Sequence, residues 1–474
     1  MRFSITLVIV LAYAPVWAAQ ETPQRLVLLN VIATTQKGEP VTDLQESDIR
    51  IKDDGKLRPV AFFRFAGSKR EVAPAGSGEY INRPGLPPTL ILFDRWNERI
   101  MLAAEAWGDI GKALQNQESV ERIYIYFLTP KGDVYPVHPL PPPDSDLRGA
   151  PPVSPAQLRT WFDDAVKKLS GFRDMDVFDP GIRADTTFKA LSQLGNEMSA
   201  IAGQKNLLWV TRGIPLNLFI EGQSFDFSPA VRRTSTLAVE AKIAISAVDE
   251  SARGAGADLI GESRQTLQMF TGLTGGRWYQ SGDTPQALDQ SLKDARAKYR
   301  VAYFADYKAN DKKEHKIRIE SSRKDVRFVT REGYFGDTPE PDPNMMEKAS
   351  LNAESHSPFD ASEIAVRVNY TMDAQGEHLK IHVNPSDILL LEKGDHYQGH
   401  LGLAFAVYSG GTFKGITQPE STDLNLTKDQ FAQAQKDGYL ISEDLPPVTG
   451  MDRVRVMVYD GGLHGLGTVT IPLK

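Results

Sequence analysis

The feature that most constrains the fold is the alternation of strand and helix patterns between residues 86 and 297. Short apolar runs predict strands at 88–94, 122–128, 205–211, 243–249 and 276–280. The segments between and after them favour helices at about 99–115, 155–169, 187–202, 261–272 and 284–297. Such alternation is typical of a parallel sheet with helices on both faces. The sequence therefore predicts a doubly wound, Rossmann-like α/β domain over 86–297.

Two β-patterned segments flank this region, at 25–66 and at 298–337. Each is short for a separate domain, so we expect the two to pair into one β-domain into which the α/β domain is inserted. Residues 67–85 are rich in Gly, Ser and Pro, which predicts a linker.

The last part of the chain follows a second predicted linker, the acidic and Pro-rich stretch 338–362. Short apolar runs separated by Gly and Asp turns then predict an antiparallel β-sandwich at 363–474. Its histidines have no metal-binding spacing, and we expect them to be surface residues: His378, His382, His396 and His400.

The amino-terminal residues predict export. A positive charge at Arg2, an apolar core and a small residue at Ala18 form a signal-peptide pattern over 1–18. We therefore expect a secreted or periplasmic protein with no transmembrane span after signal removal.

Composition narrows the partners and the chemistry. The net charge of -7 over 474 residues gives no broad basic field, which argues against nucleic acid as a partner. The chain has no cysteine, so disulfides, thiolate metal sites and cysteine nucleophiles are excluded.

Several segments together resemble a known family. They are 41–55, the Leu-Leu-Trp-Val-Thr-Arg-Gly run that ends at Gly213, the Leu-Thr-Gly-Gly-Arg-Trp-Tyr run that ends at Tyr279, and 315–319 with 331–335. In combination they resemble the exported VWFA-related proteins common in Acidobacteria, over residues 25–337. The resemblance implies a von Willebrand factor A domain flanked by β segments.

The same resemblance implies where a metal would bind. The A-domain fold holds a divalent cation at the carboxyl ends of its strands through an Asp-x-Ser-x-Ser motif, a threonine and a further aspartate. Asp94 matches the first aspartate, and Thr187, which begins a Thr-x-x-Ala-Leu run, matches the threonine. The two serine positions hold Trp96 and Glu98, and the last aspartate position holds Arg212. The sequence therefore predicts a degenerate metal site and no cofactor.

Arg212 suggests what replaces the cation. A guanidinium beside Asp94 would neutralise the carboxylate through a fork of donors, so we expect an Asp94–Arg212 ion pair. Two alternatives stay open. In the first, the Asp94 side chain only caps the following helix. In the second, a weakly bound Mg²⁺ ion is held by Glu98, Asn97 and Thr187.

Tryptophan and arginine dominate protein-binding hot spots. Side chains of these types cluster around the predicted site: Arg95, Trp96, Arg99 and Arg212. We expect them to form a protein-binding face. The alternative is that Trp96 closes the degenerate site against the proline-rich loop 139–153.

No catalytic constellation is found in the sequence, which has neither a phosphate loop nor a Gly-x-Ser-x-Gly elbow. We therefore expect a non-enzymatic interaction or scaffold protein that binds a protein or a cell-envelope component. One alternative is a metal-dependent adhesion module with unconventional ligands. Another is a secreted carbohydrate-binding or hydrolase accessory protein that uses Tyr397, Tyr408 and Tyr459.

Overall fold

The computed structural model describes residues 24–66, 76, 78–82, 87–97, 104–145, 147, 151–170, 179–220, 222–250, 257–280, 283–306, 313–336, 342–374, 376–445 and 450–473. These residues form a mixed α/β structure with eight α-helices and several sheets. The predicted signal peptide at 1–18 lies outside them.

The helices, in chain order, are α1 (Ala104–Gln115), α2 (Pro155–Ser170), α3 (Pro180–Ser199), α4 (Ser228–Glu240), α5 (Ala257–Thr274), α6 (Thr284–Arg296), α7 (Pro343–Ser355) and α8 (Lys428–Asp437). The strands up to α6 are β1 (Gln24–Thr35), β2 (Ile49–Asp53), β3 (Lys56–Arg58), β4 (Val60–Phe65), β5 (Glu79–Ile81), β6 (Thr89–Asp94), β7 (Ile123–Leu128), β8 (Val134–His138), β9 (Lys205–Thr211), β10 (Asn217–Ile220), β11 (Gln223–Asp226), β12 (Ile243–Asp249) and β13 (Trp278–Tyr279). The later strands are β14 (Lys298–Asp306), β15 (Glu314–Ser321), β16 (Val326–Val329), β17 (Gly333–Phe335), β18 (Val366–Asp373), β19 (Gly376–Val383), β20 (Leu391–Lys393), β21 (His396–Ser409), β22 (Thr412–Ile416), β23 (Glu420–Thr427), β24 (Tyr439–Asp444), β25 (Arg453–Asp460) and β26 (Gly465–Pro472).

A six-stranded sheet organises the middle of the chain, in the order β13-β12-β9-β6-β7-β8. Five strands run parallel, and only the edge strand β8 runs antiparallel to its neighbour. Read from the β8 edge, the order is 3-2-1-4-5-6, the doubly wound arrangement whose ligands bind where the strand order reverses. That reversal lies between β6 and β9, so the last residues of these strands, Asp94 and Thr211, lie beside each other.

Helices cover both faces of this sheet. On one face, α1, α2 and α6 pack against Ile91 and Phe93 of β6, and on the other, α3, α4 and α5 pack against Leu90 and Leu92. Successive strand residues point to opposite faces, so burial of both faces requires the uninterrupted apolar run seen in the sequence. Each such side chain contributes about 1.5–3 kcal/mol on full burial.

The β segments before and after the α/β region pair with each other. They form two four-stranded sheets, β16-β1-β14-β4 and β17-β15-β2-β3. β1 and β14 run antiparallel from Gln24↔Asp306 to Ile32↔Lys298. Both sheets contribute to one core, which includes Leu29, Ile51 and Tyr299.

The carboxy-terminal strands also form two antiparallel sheets. One has the order β24-β19-β18-β5, and the other is built on β20-β21-β25-β26 with β22 and β23 paired to β21. The two sheets share a core that includes Val368, Ile381, Phe405 and Val456.

Both predicted linkers need correction. Residues 79–81, inside the predicted linker 67–85, form β5 and pair with β18 in the carboxy-terminal sheet. Residues 343–355, inside the predicted linker 338–362, form α7, which begins where the Asp342 carboxylate accepts hydrogen bonds from two backbone N–H groups. Leu351 of α7 is fully buried, so the helix is part of the packed structure.

Among the described residues, no helix combines the length and the apolar character needed to cross a lipid bilayer.

Candidate functional site

The Asp94 carboxylate lies at the carboxyl end of β6 and is almost fully buried. Its Oδ1 accepts a hydrogen bond from the Asn97 backbone N–H at 3.0 Å. Its Oδ2 accepts from Asn97 Nδ2 at 2.7 Å, Thr211 Oγ1 at 2.7 Å and Trp209 Nε1 at 3.1 Å. Three residues thus direct four donors at one carboxylate.

The Asn97 amide links the two positions that the resemblance assigns to metal ligands. Its Nδ2 donates both to Asp94 Oδ2 and, at 2.8 Å, to Thr187 Oγ1. The Thr187 hydroxyl is committed as a donor to the Arg183 carbonyl at 2.9 Å, so it must accept from Asn97. An NH₂ group therefore lies between the oxygens of Asp94 and Thr187, where a cation would have to lie.

The neighbouring strand β9 supplies the other two donors. Trp209 and Thr211 are two residues apart and share one face of the strand, next to Asp94 on β6. The Thr211 hydroxyl also accepts from the Gly213 backbone N–H at 2.9 Å. Gly213 has a φ of +74°, a conformation that favours glycine and lets the chain turn back to this hydroxyl.

Burial raises the pKa of Asp94, and the hydrogen bonds from Asn97, Thr211 and Trp209 oppose that rise. Since all four groups that hydrogen-bond to the carboxylate are donors, the arrangement accommodates its ionised form without a counter-ion. An ionised oxygen that accepts several donors in a buried site holds them more strongly than a neutral acceptor would.

These residues do not fit Mg²⁺. The ion needs about six oxygen ligands in octahedral geometry, and Asp94 Oδ2 already accepts three hydrogen bonds. Thr187 Oγ1 is occupied by one donor and one acceptor. Trp96, at the position of the first motif serine, points an indole N–H at the Arg183 carbonyl and supplies no oxygen.

The predicted Asp94–Arg212 ion pair is wrong. Arg212 is half-buried, and in the described part of the chain no hydrogen bond or ion pair joins it to Asp94. Side chains alternate along extended backbone, and Thr211, which precedes Arg212, is the residue that points at Asp94. The partners of the Asp94 carboxylate are therefore neutral hydrogen-bond donors and not a guanidinium.

The predicted protein-binding face also needs correction. Trp96 is 4% exposed and Arg95 is 5% exposed, so neither is available to a partner in this structure. The Trp96 ring packs against the Arg183 guanidinium, 5.3 Å from the ring centroid. This arrangement is closer to the alternative in which Trp96 closes the site, with α3 as the covering element. Glu98 and Arg99 lie outside the described residues.

A second buried carboxylate lies at the same edge of the sheet and was not identified from the sequence. Asp249, the last residue of β12, is fully buried and pairs with Arg264 of α5 at 3.0 Å. Its position at the end of a predicted strand could have identified it from the sequence. Like Asp94, Asp249 is paired with a side chain of the same chain.

The carboxy-terminal residues considered for a sugar site are not arranged as one. Tyr408 and Tyr459 are buried, and Tyr397 stacks on Phe431 with ring centroids 4.1 Å apart. His378 and His400 each contact carboxylates, at 2.6 Å from Asp444 and 2.7 Å from Asp423.

No protein-family model matches the chain, and no curated protein is significantly similar to it in sequence.

Proposed function

We propose that the chain is an exported, non-enzymatic interaction or scaffold protein built on a von Willebrand A-type domain that operates without a metal. In this proposal the A-type domain spans 86–297 and is inserted in the β-domain formed by 25–66 and 298–337. The carboxy-terminal strands form a β-sandwich. The partner is a protein or a component of the cell envelope.

One observation carries the proposal. The Asn97 amide bridges Asp94 and Thr187, the two retained ligand positions, and donates to both. A site whose acceptors are already satisfied gains little from Mg²⁺, because the ion would have to displace buried hydrogen bonds. This also weighs against the alternative of a metal-dependent adhesion module.

The proposal is tested by metal titration. Isothermal titration calorimetry of the wild-type protein with Mg²⁺ and with Mn²⁺ should give no binding tighter than about 1 mM. Asn97→Asp is the matched variant, because it replaces the bridging NH₂ with an oxygen of the same shape. Two carboxylates and a hydroxyl would then face one another, and Mg²⁺ should raise the melting temperature of this variant alone.

Tight Mg²⁺ binding by the wild-type protein would overturn the proposal, whether or not Asn97→Asp folds. The functional part is tested by affinity capture from the native envelope in Mg²⁺ or in EDTA. The same partners should be recovered under both conditions, whereas partners lost in EDTA would favour metal-dependent adhesion.

A further inference from the structure

A cavity of about 280 Å³ lies at the other end of the central sheet. It is lined by residues that precede β6, β7 and β9, by the end of β4, by the start of β14 and by 357–363. It therefore lies where the α/β region, the β-domain and the carboxy-terminal region meet. Ligand sites commonly occur at such junctions, and the volume is just below their usual range of about 300–1,000 Å³.

The lining combines apolar surface with positive charge. Phe65, Pro87, Pro88, Ile201 and Phe359 supply apolar walls. The cationic lining residues are Arg64, Arg122, Lys298 and Arg300.

Each of the two lining carboxylates has a cationic partner outside the lining, and Glu363 also lies 3.7 Å from Arg300. Asp360 contacts Arg455 at 3.4 Å, and Glu363 contacts Lys242 at 2.9 Å. Arg64 is likewise paired, with the buried Asp387 outside the lining. Four cationic side chains thus line the cavity against two carboxylates, and Arg300 and Lys298 are the two considered further.

Arg300 is the most informative of these residues. Its side chain is only 6% exposed, yet Nε, Nη1 and Nη2 are all buried without a hydrogen-bond partner. The nearest carboxylate oxygen, on Glu363, is 3.7 Å away, beyond hydrogen-bond distance. Its guanidinium carbon lies 6.0 Å from the centre of the Phe62 ring.

Such a guanidinium is costly to bury, because its donors lose their hydrogen bonds to water and form none within the protein. A planar oxyanion would satisfy several donors at once, since the fork of guanidinium N–H groups matches carboxylate and phosphate oxygens.

Lys298 adds a second buried cation in the same cavity. It is 5% exposed and donates to the Asn206 side-chain carbonyl, a neutral acceptor. Burial lowers the pKa of Lys298 to about 8, so the ammonium is still mostly charged at neutral pH. An anion in the cavity would stabilise that charge.

We propose that this cavity binds a small organic anion, with its oxyanion group on Arg300 and an apolar body against Phe65 and Phe359. The headgroup is a carboxylate or a phosphate. The ligand is small, because a cavity of this volume holds a single ring or short chain and little more.

The test uses the full chain and four probes: benzoate, phenyl phosphate, inorganic phosphate and benzyl alcohol. Binding is measured by isothermal titration calorimetry and by the shift in melting temperature. Benzoate or phenyl phosphate should bind more tightly than 1 mM, and whichever binds more tightly identifies the headgroup. Benzyl alcohol has the ring without the charge, and inorganic phosphate has the charge without the ring. Each should bind at least tenfold more weakly than the tighter of the two aromatic anions.

Arg300→Met keeps a long side chain and removes the donors. It should weaken binding of the preferred probe at least tenfold and leave the melting temperature of the free protein equal or higher. Arg331→Met is the matched control, because Arg331 is also buried but does not line the cavity. Should either arginine variant fail to fold, Ala202→Leu narrows the cavity without removing a charge and should also abolish binding.

Failure of both aromatic anions to bind would overturn the proposal. Equal binding by wild-type protein and Arg300→Met would do the same, and would make Arg300 only a structural partner of Glu363. Equal binding of inorganic phosphate and phenyl phosphate would overturn the apolar half of the proposed ligand.

Discussion

The two ends of the central sheet differ in how their buried charged side chains are hydrogen-bonded. At the carboxyl end, Asp94 accepts four hydrogen bonds from its own neighbours. At the amino end, the three guanidinium nitrogens of Arg300 are buried and donate no hydrogen bond to the protein. Asp94 is satisfied by its own neighbours, whereas Arg300 has donors available to a ligand.

This contrast bears on where a ligand should be sought. In doubly wound sheets the carboxyl end is the usual ligand site, yet here its acceptors are satisfied by Asn97, Trp209 and Thr211. A buried polar group with internal partners stabilises the fold, whereas one without them costs free energy until something binds. We therefore expect substitutions of Asp94 and its partners to lower stability, and substitution of Arg300 to weaken ligand binding.

The largest effect is expected for Asp94→Ala. The substitution leaves the donors of Asn97, Trp209 and Thr211 buried without an acceptor, at about 1–3 kcal/mol for each unsatisfied group. We expect the free energy of unfolding to fall by about 4 kcal/mol in urea denaturation. Asp164→Ala, on the exposed side of α2, is the control and should change stability by less than about 0.5 kcal/mol. A loss below about 1 kcal/mol for Asp94→Ala would mean that the carboxyl end is not held together by this carboxylate.

The sequence predicted the parallel strands closely. β6, β7, β9 and β12 begin and end within one residue of the predicted ranges. Strands buried on both faces need uninterrupted apolar runs, and such runs are visible without knowledge of their neighbours.

Elements whose stability depends on distant partners were not predicted. β5 has three residues, and it is a strand only because it pairs with β18, far away in the chain. α7 lies in an acidic, Pro-rich stretch that was interpreted as a linker, although Asp342 and Pro343 form a helix-start signal. α4 was also missed, although it begins with Ser228 and Pro229.

Two of the residues that the resemblance assigns to a metal site are close in the structure, but the expected partner of Asp94 does not pair with it. Asp94 and Thr187 do lie together, joined by Asn97. The partners of Asp94 could not be deduced, because the backbone conformation at the end of β9 decides whether the side chain of Thr211 or that of Arg212 points at the carboxylate. The cavity at the amino end was beyond prediction, since its arginines come from distant parts of the chain and approach one another only on folding: Arg64 from β4, Arg122 from the turn before β7, and Arg300 from β14.

The next largest effect concerns pH and the amino end of β9. Burial, with a contribution from Lys242, lowers the pKa of Lys205 from 10.5 to about 7. The unfolded chain therefore binds this proton more tightly than the folded chain, so stability should rise as the pH increases from 7 to 10.

Over that interval the free energy of unfolding of the wild-type protein should rise by roughly 3 kcal/mol relative to that of Lys205→Met. Urea denaturation at each pH measures both values. Lys189→Met, at an exposed position of α3, is the control and should follow the wild-type protein. A difference that does not change with pH would show that the Lys205 ammonium is as well solvated in the folded chain as in the unfolded one.

A smaller effect is expected for Thr211→Val at the carboxyl end. Valine has the shape of threonine but removes the donor to Asp94 Oδ2 and the acceptor of the Gly213 N–H. We expect a loss of about 1–2 kcal/mol, since the remaining donors still hold the carboxylate. In the Asp94→Ala background the same change should cost less, because the acceptor is already absent. Additive losses in this double-mutant cycle would contradict a single hydrogen-bonded network around Asp94.

The smallest effect is expected at the amino end, for Lys298→Met. The ammonium is buried, and in the described part of the chain its hydrogen-bond partner is the neutral side chain of Asn206. Replacing a poorly compensated buried charge with an apolar side chain of similar length is often neutral or stabilising. We expect the free energy of unfolding to stay within about 1 kcal/mol of the wild-type value in urea denaturation at pH 7, against the loss of about 4 kcal/mol for Asp94→Ala. A loss from Lys298→Met as large as that from Asp94→Ala would break the contrast, because both ends of the sheet would then hold their charges for stability.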